Sequence, residues 1–247
     1  MKKLYVLFAF LFCILISCED IINSDQNIIK EKITVVDIDN NEYKTVPICE
    51  KRWMAENLNV SHYRNGDPVT HAASHQEWIE ANENKEGAWC YYENDPENGQ
   101  KFGKLYNWFA VTDPRGLAPE GWHVPSRDEW RDLFQCLGGI EVAGGKLKST
   151  KIIEGDNEGW HSPNKGATNE YDFNALPGGY CNGFKDLKTN QFHNYGYIGY
   201  WWTSTEYEGY DANAHYFSLF YNSDGVGLFG ALQDYKVHGY SVRCIKD

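Results

Sequence analysis

Three of the eight histidines, a set of scattered cysteines and one separated pair of glutamates are the side chains whose spacing or setting raises the question of a reaction centre. His71-x-x-x-His75 has the i, i+4 spacing that sets two zinc ligands on one helix face. Ser74, however, reads as the N-cap of the helix that begins there, which leaves His71 outside it, so no zinc site is expected. His123 in Gly-Trp-His-Val-Pro lies between apolar neighbours and is expected to be a hydrogen-bonded structural histidine rather than a proton-transfer group. Glu170 and Glu206 could form an acid pair, but nothing in their spacing brings them together. No two cysteines show Cys-x-x-Cys spacing, which removes the usual zinc or dithiol motif. No catalytic residue, no cofactor and no metal is therefore expected.

The elements that would position these groups centre on Tyr195-Gly-Tyr-Ile-Gly-Tyr-Trp-Trp-Thr-Ser-Thr-Glu206. Its aromatic and β-branched residues predict a central strand over 197–205, with Trp201 and Trp202 on opposite faces and both buried as core. Residues 33–39 and 43–48 flank Asn40-Asn41 and predict an opening hairpin, which Arg52–Leu58 continues. Ser74-His-Gln-Glu77 fits a capping box and starts a short helix ending by Gly87; Gly87–Tyr92 returns as a strand. Leu105, Trp108, Phe109 and Val111 at helical spacing predict a helix over 102–111, stopped by Asp113-Pro114. Ser126-Arg-Asp-Glu129 is a second capping box, and Trp130, Leu133, Phe134 and Leu137 follow at i, i+3, i+4 and i+7 until Gly138-Gly139. From Val142 to Tyr195 the chain is rich in Gly, Asn, Pro and Ser, an irregular segment whose Trp160, Phe173 and Leu176 either plug the core or also present loop tips to a ligand. Strands over 214–221, 226–232 and 240–245 close the chain. Short strands with two main helices make an α+β domain.

The first residues carry a different signal. Met1-Lys2-Lys3 precedes thirteen apolar residues, Leu4 to Ile16, too few for the roughly 20 that span a bilayer, so residues 1–17 read as a signal peptide. The Leu15-Ile16-Ser17-Cys18 ending resembles a bacterial lipoprotein signal, which implies lipid attachment at Cys18, a flexible tether over 18–32 and a folded domain over 33–247. Attachment would be to the outer membrane, on its periplasmic or exterior side. Removing two lysines leaves 21 cations against 35 acids, a mature charge of −14. That excludes a nucleic-acid partner, which needs a basic face. Aromatics at 15% and charged residues at 23% suffice for a sizeable core. Five cysteines remain after export: Cys49, Cys90, Cys136, Cys181 and Cys244. At most two disulfides can form in an oxidising compartment, with one thiol left over.

Leu105-Tyr-Asn-Trp108, Gly121-Trp-His-Val-Pro-Ser126, Leu176-Pro-Gly-Gly-Tyr180, Tyr200-Trp-Trp-Thr-Ser-Thr-Glu206 and Tyr240-Ser-Val-Arg-Cys244 stand in order, with Trp53-Met-Ala-Glu-Asn-Leu58 before them and Ala167-Thr-Asn-Glu170 among them. Together they resemble the Fibrobacter succinogenes major paralogous domain, over about residues 33–247. The resemblance implies a C-type-lectin-like fold, related to the formylglycine-generating-enzyme group, with no activity to carry over. Those enzymes work through a cysteine pair near the chain end, where this sequence offers only Cys244. The lectin calcium signature is absent; Ser162-Pro-Asn164 and Tyr210-Asp-Ala-Asn213 are loose echoes. C-type-lectin-like frames commonly tie the long helix to the last strand, which implies a Cys136–Cys244 bridge, with a second bridge left open among Cys49, Cys90 and Cys181. Such frames vary the loops beside their last strands. In this chain those loops carry Tyr207, Tyr210, Asp211 and Asn213, then Tyr221, Asn222 and Asp224, whose rings and amides suit a glycan or protein ligand. The expected function is a lipid-anchored envelope binding or adhesion module; an enzyme related to the formylglycine-generating group and a purely structural envelope protein are the alternatives.

Overall fold

A turn held by one aspartate opens the fold. Asp37 Oδ1 accepts the backbone N–H of Asp39 and of Asn41, both at 2.9 Å, while Asn40 adopts φ 65°. This closes strands β1 (Thr34–Val36) and β2 (Glu42–Ile48) into the expected hairpin, in register Val36 to Glu42. The computed structural model describes residues 34–153, 159–186, 191–227 and 233–247. The expected signal peptide, Cys18 and the tether lie outside them. Ile33–Asp247 form one compact unit.

Strand β3 (Lys51–Met54) follows β2, and the chain end returns as β13 (Ile245–Lys246) between β3 and β7 (Trp122–His123), so the first sheet runs β1-β2-β3-β13-β7, antiparallel throughout. A small sheet of β4 (Thr70–His71), β5 (Ala88–Cys90) and β6 (Leu105–Tyr106) lies beside helix α1 (His75–Glu83), which Ser74 caps as expected. The helix expected over 102–111 is not formed. Helix α2 (Pro96–Phe102) ends at Gly103, whose φ of 73° a side chain would resist; Leu105 and Tyr106 then pair with Cys90 and Trp89, and only α3 (Trp108–Val111) resumes the helical turn. Helical spacing at 105–111 was outweighed by that strand pairing. Helix α4 (Arg127–Cys136) carries the full capping box of Ser126 and Glu129 and buries Trp130, Leu133 and Phe134.

The third sheet holds β8 (Gly178–Cys181), β9 (Phe192–Tyr195), β10 (Ile198–Glu206), β11 (Asn213–Phe220) and β12 (Gln233–Tyr235) in the order β12-β11-β10-β8-β9. Strand β10 has both faces covered: Trp201 and Trp202 are each 0% exposed, the first stacked on Phe217 at 5.0 Å, the second against Tyr240 at 4.4 Å. The segment from 142 to 195 contributes a short helix α5 (Ala143–Leu147), and its Trp160 and Phe173 plug the core beside Trp130 and Trp53. Of the expected 226–232 strand, Val226 bridges Leu219 and residues 228–232 lie outside the described residues; of the expected 240–245 strand, Tyr240 and Ser241 make isolated bridges and only Ile245 enters a ladder. Mixed parallel and antiparallel short strands with few helices make this an α+β fold.

The expected Cys136–Cys244 bridge is not formed. Cys136, at the end of α4, is joined to Cys49 in the β2–β3 turn with 6.6 Å between Cα atoms, and Cys244 is a buried thiol. The helix does meet the last strand, but through Ile245, which shares a core cluster with Leu133 and Phe134. Successive residues of an extended chain point to opposite faces, so Cys244 turns away from the helix, into the cluster of Tyr43, Met54 and Val242.

Candidate binding cleft

The two expected ligand loops do not form one surface. They lie at opposite ends of β11, whose eight residues span roughly 27 Å at about 3.4 Å each. At one end Tyr210 is 58% exposed and Asp211 exposed, while Tyr207 packs on His215 at 5.4 Å between ring centroids and Asn213 enters the β11–β12 ladder. At the other end Tyr221 meets Tyr197 edge-on at 5.2 Å, Asn222 is exposed and Asp224 pairs with Lys165 at 3.3 Å. That second loop is pinned from beneath. The buried Lys148 ammonium donates to the carbonyls of Lys165, Phe220 and Ser223 at 2.8, 2.9 and 2.8 Å, using all three of its N–H groups, and burial lowers its pKa to about 8.

The groups considered for catalysis do not come together: His75 has both ring nitrogens buried without a hydrogen-bond partner among the described residues, and the others are engaged separately. His71 stacks flat on Trp89 at 3.9 Å, outside the α1 helix, and among the described residues no group of three His, Cys, Asp or Glu could hold a metal. Glu206 pairs with Lys236 and Glu170 with Lys146, the latter at 3.7 Å, so the two glutamates serve different lysines. His123 places Nδ1 at 2.6 Å from Asp247 and Nε2 at 2.9 Å from Glu129, joining the chain end to the α4 capping box. Cys244 is fully buried, which pushes its thiol pKa far up.

The motifs instead converge on Asn57. Its Oδ1 accepts from Trp201 Nε1 at 2.9 Å and from Arg243 Nη2 and Nε at 2.7 and 3.2 Å, while its Nδ2 donates to the Phe102 carbonyl at 2.8 Å. Arg243 is 1% exposed, lies over the Phe173 ring at 4.3 Å and gives Nη1 to the Phe173 carbonyl. Among the described residues no carboxylate bonds it, and burial lowers its pKa to about 9. A guanidinium has five N–H groups; three are used, which leaves one on each terminal nitrogen without an acceptor among the described residues.

Arg243 and Asn57 line a cleft of ≈ 610 Å³ between the β2–β3 hairpin and the α2 end, walled mainly by amides and charged side chains such as Asn41, Asn59, Gln100 and Asn174. Asn59 Oδ1 in that wall is buried with no hydrogen-bond partner among the described residues. Lys44, Lys101 and Arg243 stand in this wall with Glu42 and Glu56, Lys44 pairing with Glu56 at 3.8 Å, in a chain of net charge −12. Sequence reasoning overlooked this site although Asn57 and Arg243 stand in quoted motifs. The signal was there in Tyr240-Ser-Val-Arg-Cys-Ile245, where a cation interrupts an apolar run.

No curated protein and no solved structure matches this chain. The model of the Fibrobacter succinogenes major domain matches residues 46–246, a span that contains the Asn57 hub, both buried tryptophans of β10 and Arg243; the chain belongs to that family.

Proposed function

We propose that the protein is a binding module of the outer membrane, held by lipid on Cys18 once residues 1–17 are removed, that recognises a glycan in the Arg243 cleft on a C-type-lectin-like frame and is not an enzyme. The observation that carries this reading is hydrogen-bonding capacity in the cleft that no described residue uses: two Arg243 N–H donors and the Asn59 Oδ1 acceptor. A sugar hydroxyl both donates and accepts, so a polyol ligand suits such a mixed wall, and a carboxylate on the sugar suits Arg243 and the exposed Lys101. A protein ligand is less well served, because aromatic anchors in apolar pockets dominate protein interfaces and this wall is mostly amide and charge.

The test uses the full chain carrying Cys18→Ser, presented to uronate-bearing and neutral oligosaccharides. An acidic oligosaccharide should bind, and the exposed pair Lys44→Glu with Lys101→Glu should lower its affinity about tenfold without changing thermal stability. Absence of binding, or binding indifferent to that double variant, would remove the cleft reading. The anchor is tested separately: Cys18→Ser should free the protein from membranes, and its persistence in the pellet after high-salt washing would contradict lipid attachment. Surface proteolysis of whole cells distinguishes the exterior from the periplasmic side.

A further inference from the structure

Cys90 and Cys181 take no part in the cleft or in the Cys49–Cys136 bridge, yet the fold brings them together. Cys90 ends β5 in the small sheet, Cys181 ends β8 in the third sheet, and both are 0% exposed in one core cluster with Trp78, Leu105 and Tyr92. Both are free, buried thiols in the structure, and after burial the neighbouring Cys181 is what keeps the proton on Cys90. Each backbone is fixed: Cys90 is in register with Leu105, and Cys181 exchanges two 2.9 Å backbone hydrogen bonds with Gly239. Cys244 belongs to a different core cluster. That leaves one reasonable partner for each.

We propose that Cys90 and Cys181 form a second disulfide in the exported protein, joining the small sheet to the third sheet and leaving Cys244 as the single thiol. The inference rests on the export reading above, since thiols pair in oxidising compartments and stay reduced in the cytosol. The oxidant is a protein or small-molecule disulfide. The thiolate of one cysteine attacks it and expels one thiolate of the donor; the second cysteine, after losing its proton, then displaces the other donor sulfur from the mixed disulfide. Two thiols lose two protons and two electrons, and the donor leaves as a dithiol. Burial holds the proton on Cys90 in the folded state, so neither the nucleophile nor its access exists once the cluster has closed. Exchange therefore belongs to folding in the envelope, and the finished bond is sealed from reductant.

The experiment takes the full-length protein from membranes of an exporting host, blocks free thiols under denaturing conditions and maps peptides without reduction. The expected result is a Cys90–Cys181 peptide beside a Cys49–Cys136 peptide, with Cys244 alone blocked. Recovery of Cys90 and Cys181 as blocked thiols would overturn the proposal. If Cys49–Cys136 is bridged in that same sample, export stands and only the pairing falls; if all five cysteines are blocked, the export reading falls with it.

Discussion

Asn57 shows how a neutral side chain can hold a buried charge. One amide oxygen receives an indole N–H and two guanidinium N–H groups, all buried, so its removal strands a cation rather than a neutral donor. We expect Asn57→Ala to cost about 3 kcal/mol or more in denaturant unfolding, because an uncompensated buried charge is among the most expensive defects a core can hold. A loss below about 1 kcal/mol would mean that Arg243 is satisfied by other means. Asn57→Asp should cost less than Asn57→Ala, since a carboxylate there faces the guanidinium. His123 gives a pH signature of its own. Partial burial opposes the charged ring, but the hydrogen bonds of Asp247 and Glu129, with their charges, outweigh it and raise the pKa. A folded pKa above the unfolded value of about 6.5 contributes stability that is fully present below about 6.5 and is lost as pH rises through the folded pKa. The melting-temperature gap between the native protein and His123→Gln should therefore be widest in mildly acid solution, where Asp247 and Glu129 are still ionised, and narrow as pH rises through the folded pKa. A gap that is constant with pH would show that the ring acts by packing alone.

The Cys49–Cys136 bridge ties the β2–β3 turn to the end of α4 across 87 residues of chain. Both cysteines are exposed, so Cys49→Ser with Cys136→Ser leaves no buried hydroxyl. In the chain-entropy model that double change should cost about 4 to 5 kcal/mol. Cys244→Ala should cost only about 1 to 2 kcal/mol, the loss of one buried sulfur. Equal costs would contradict the pairing in the structure. The two helices with serine N-caps were legible because their signals are local: Ser74 with Glu77, and Ser126 with Glu129, sit three residues apart on the N-terminal turn, although only the second pair closes the full capping box. The burial of Trp201 and Trp202 was legible too, because two adjacent indoles on a strand must face opposite sides and both need cover. The disulfide was not, because the face that Cys244 presents depends on which residue of the last strand meets α4, and residue types do not encode that register. The cleft was hidden for the same reason: Asn57, Phe173, Trp201 and Arg243 are separated by up to 186 positions, and their chemistry arises only where the chain crosses itself.

Those crossings decide how the whole molecule should unfold. The first sheet draws strands from residues 34–54, from 122–123 and from 245–246, with the last strand seated between the other two groups. Trp202 Nε1 donates to the Tyr106 carbonyl at 2.8 Å, and Tyr106 and Tyr240 exchange backbone hydrogen bonds, so the third sheet is stitched to residues before 115 as well. Neither half can leave without exposing the other's core, and the opening hairpin alone is too small to bury one. We therefore expect one cooperative transition on heating the Cys18→Ser chain, the same midpoint by tryptophan fluorescence and by far-UV circular dichroism. Fluorescence is a fair witness here because all nine tryptophans, from Trp53 to Trp202, are buried and lie in both halves. Two separated midpoints, or an early fluorescence change confined to segments on one side of residue 115, would mean that the interleaved strands do not couple the halves as their hydrogen bonds require.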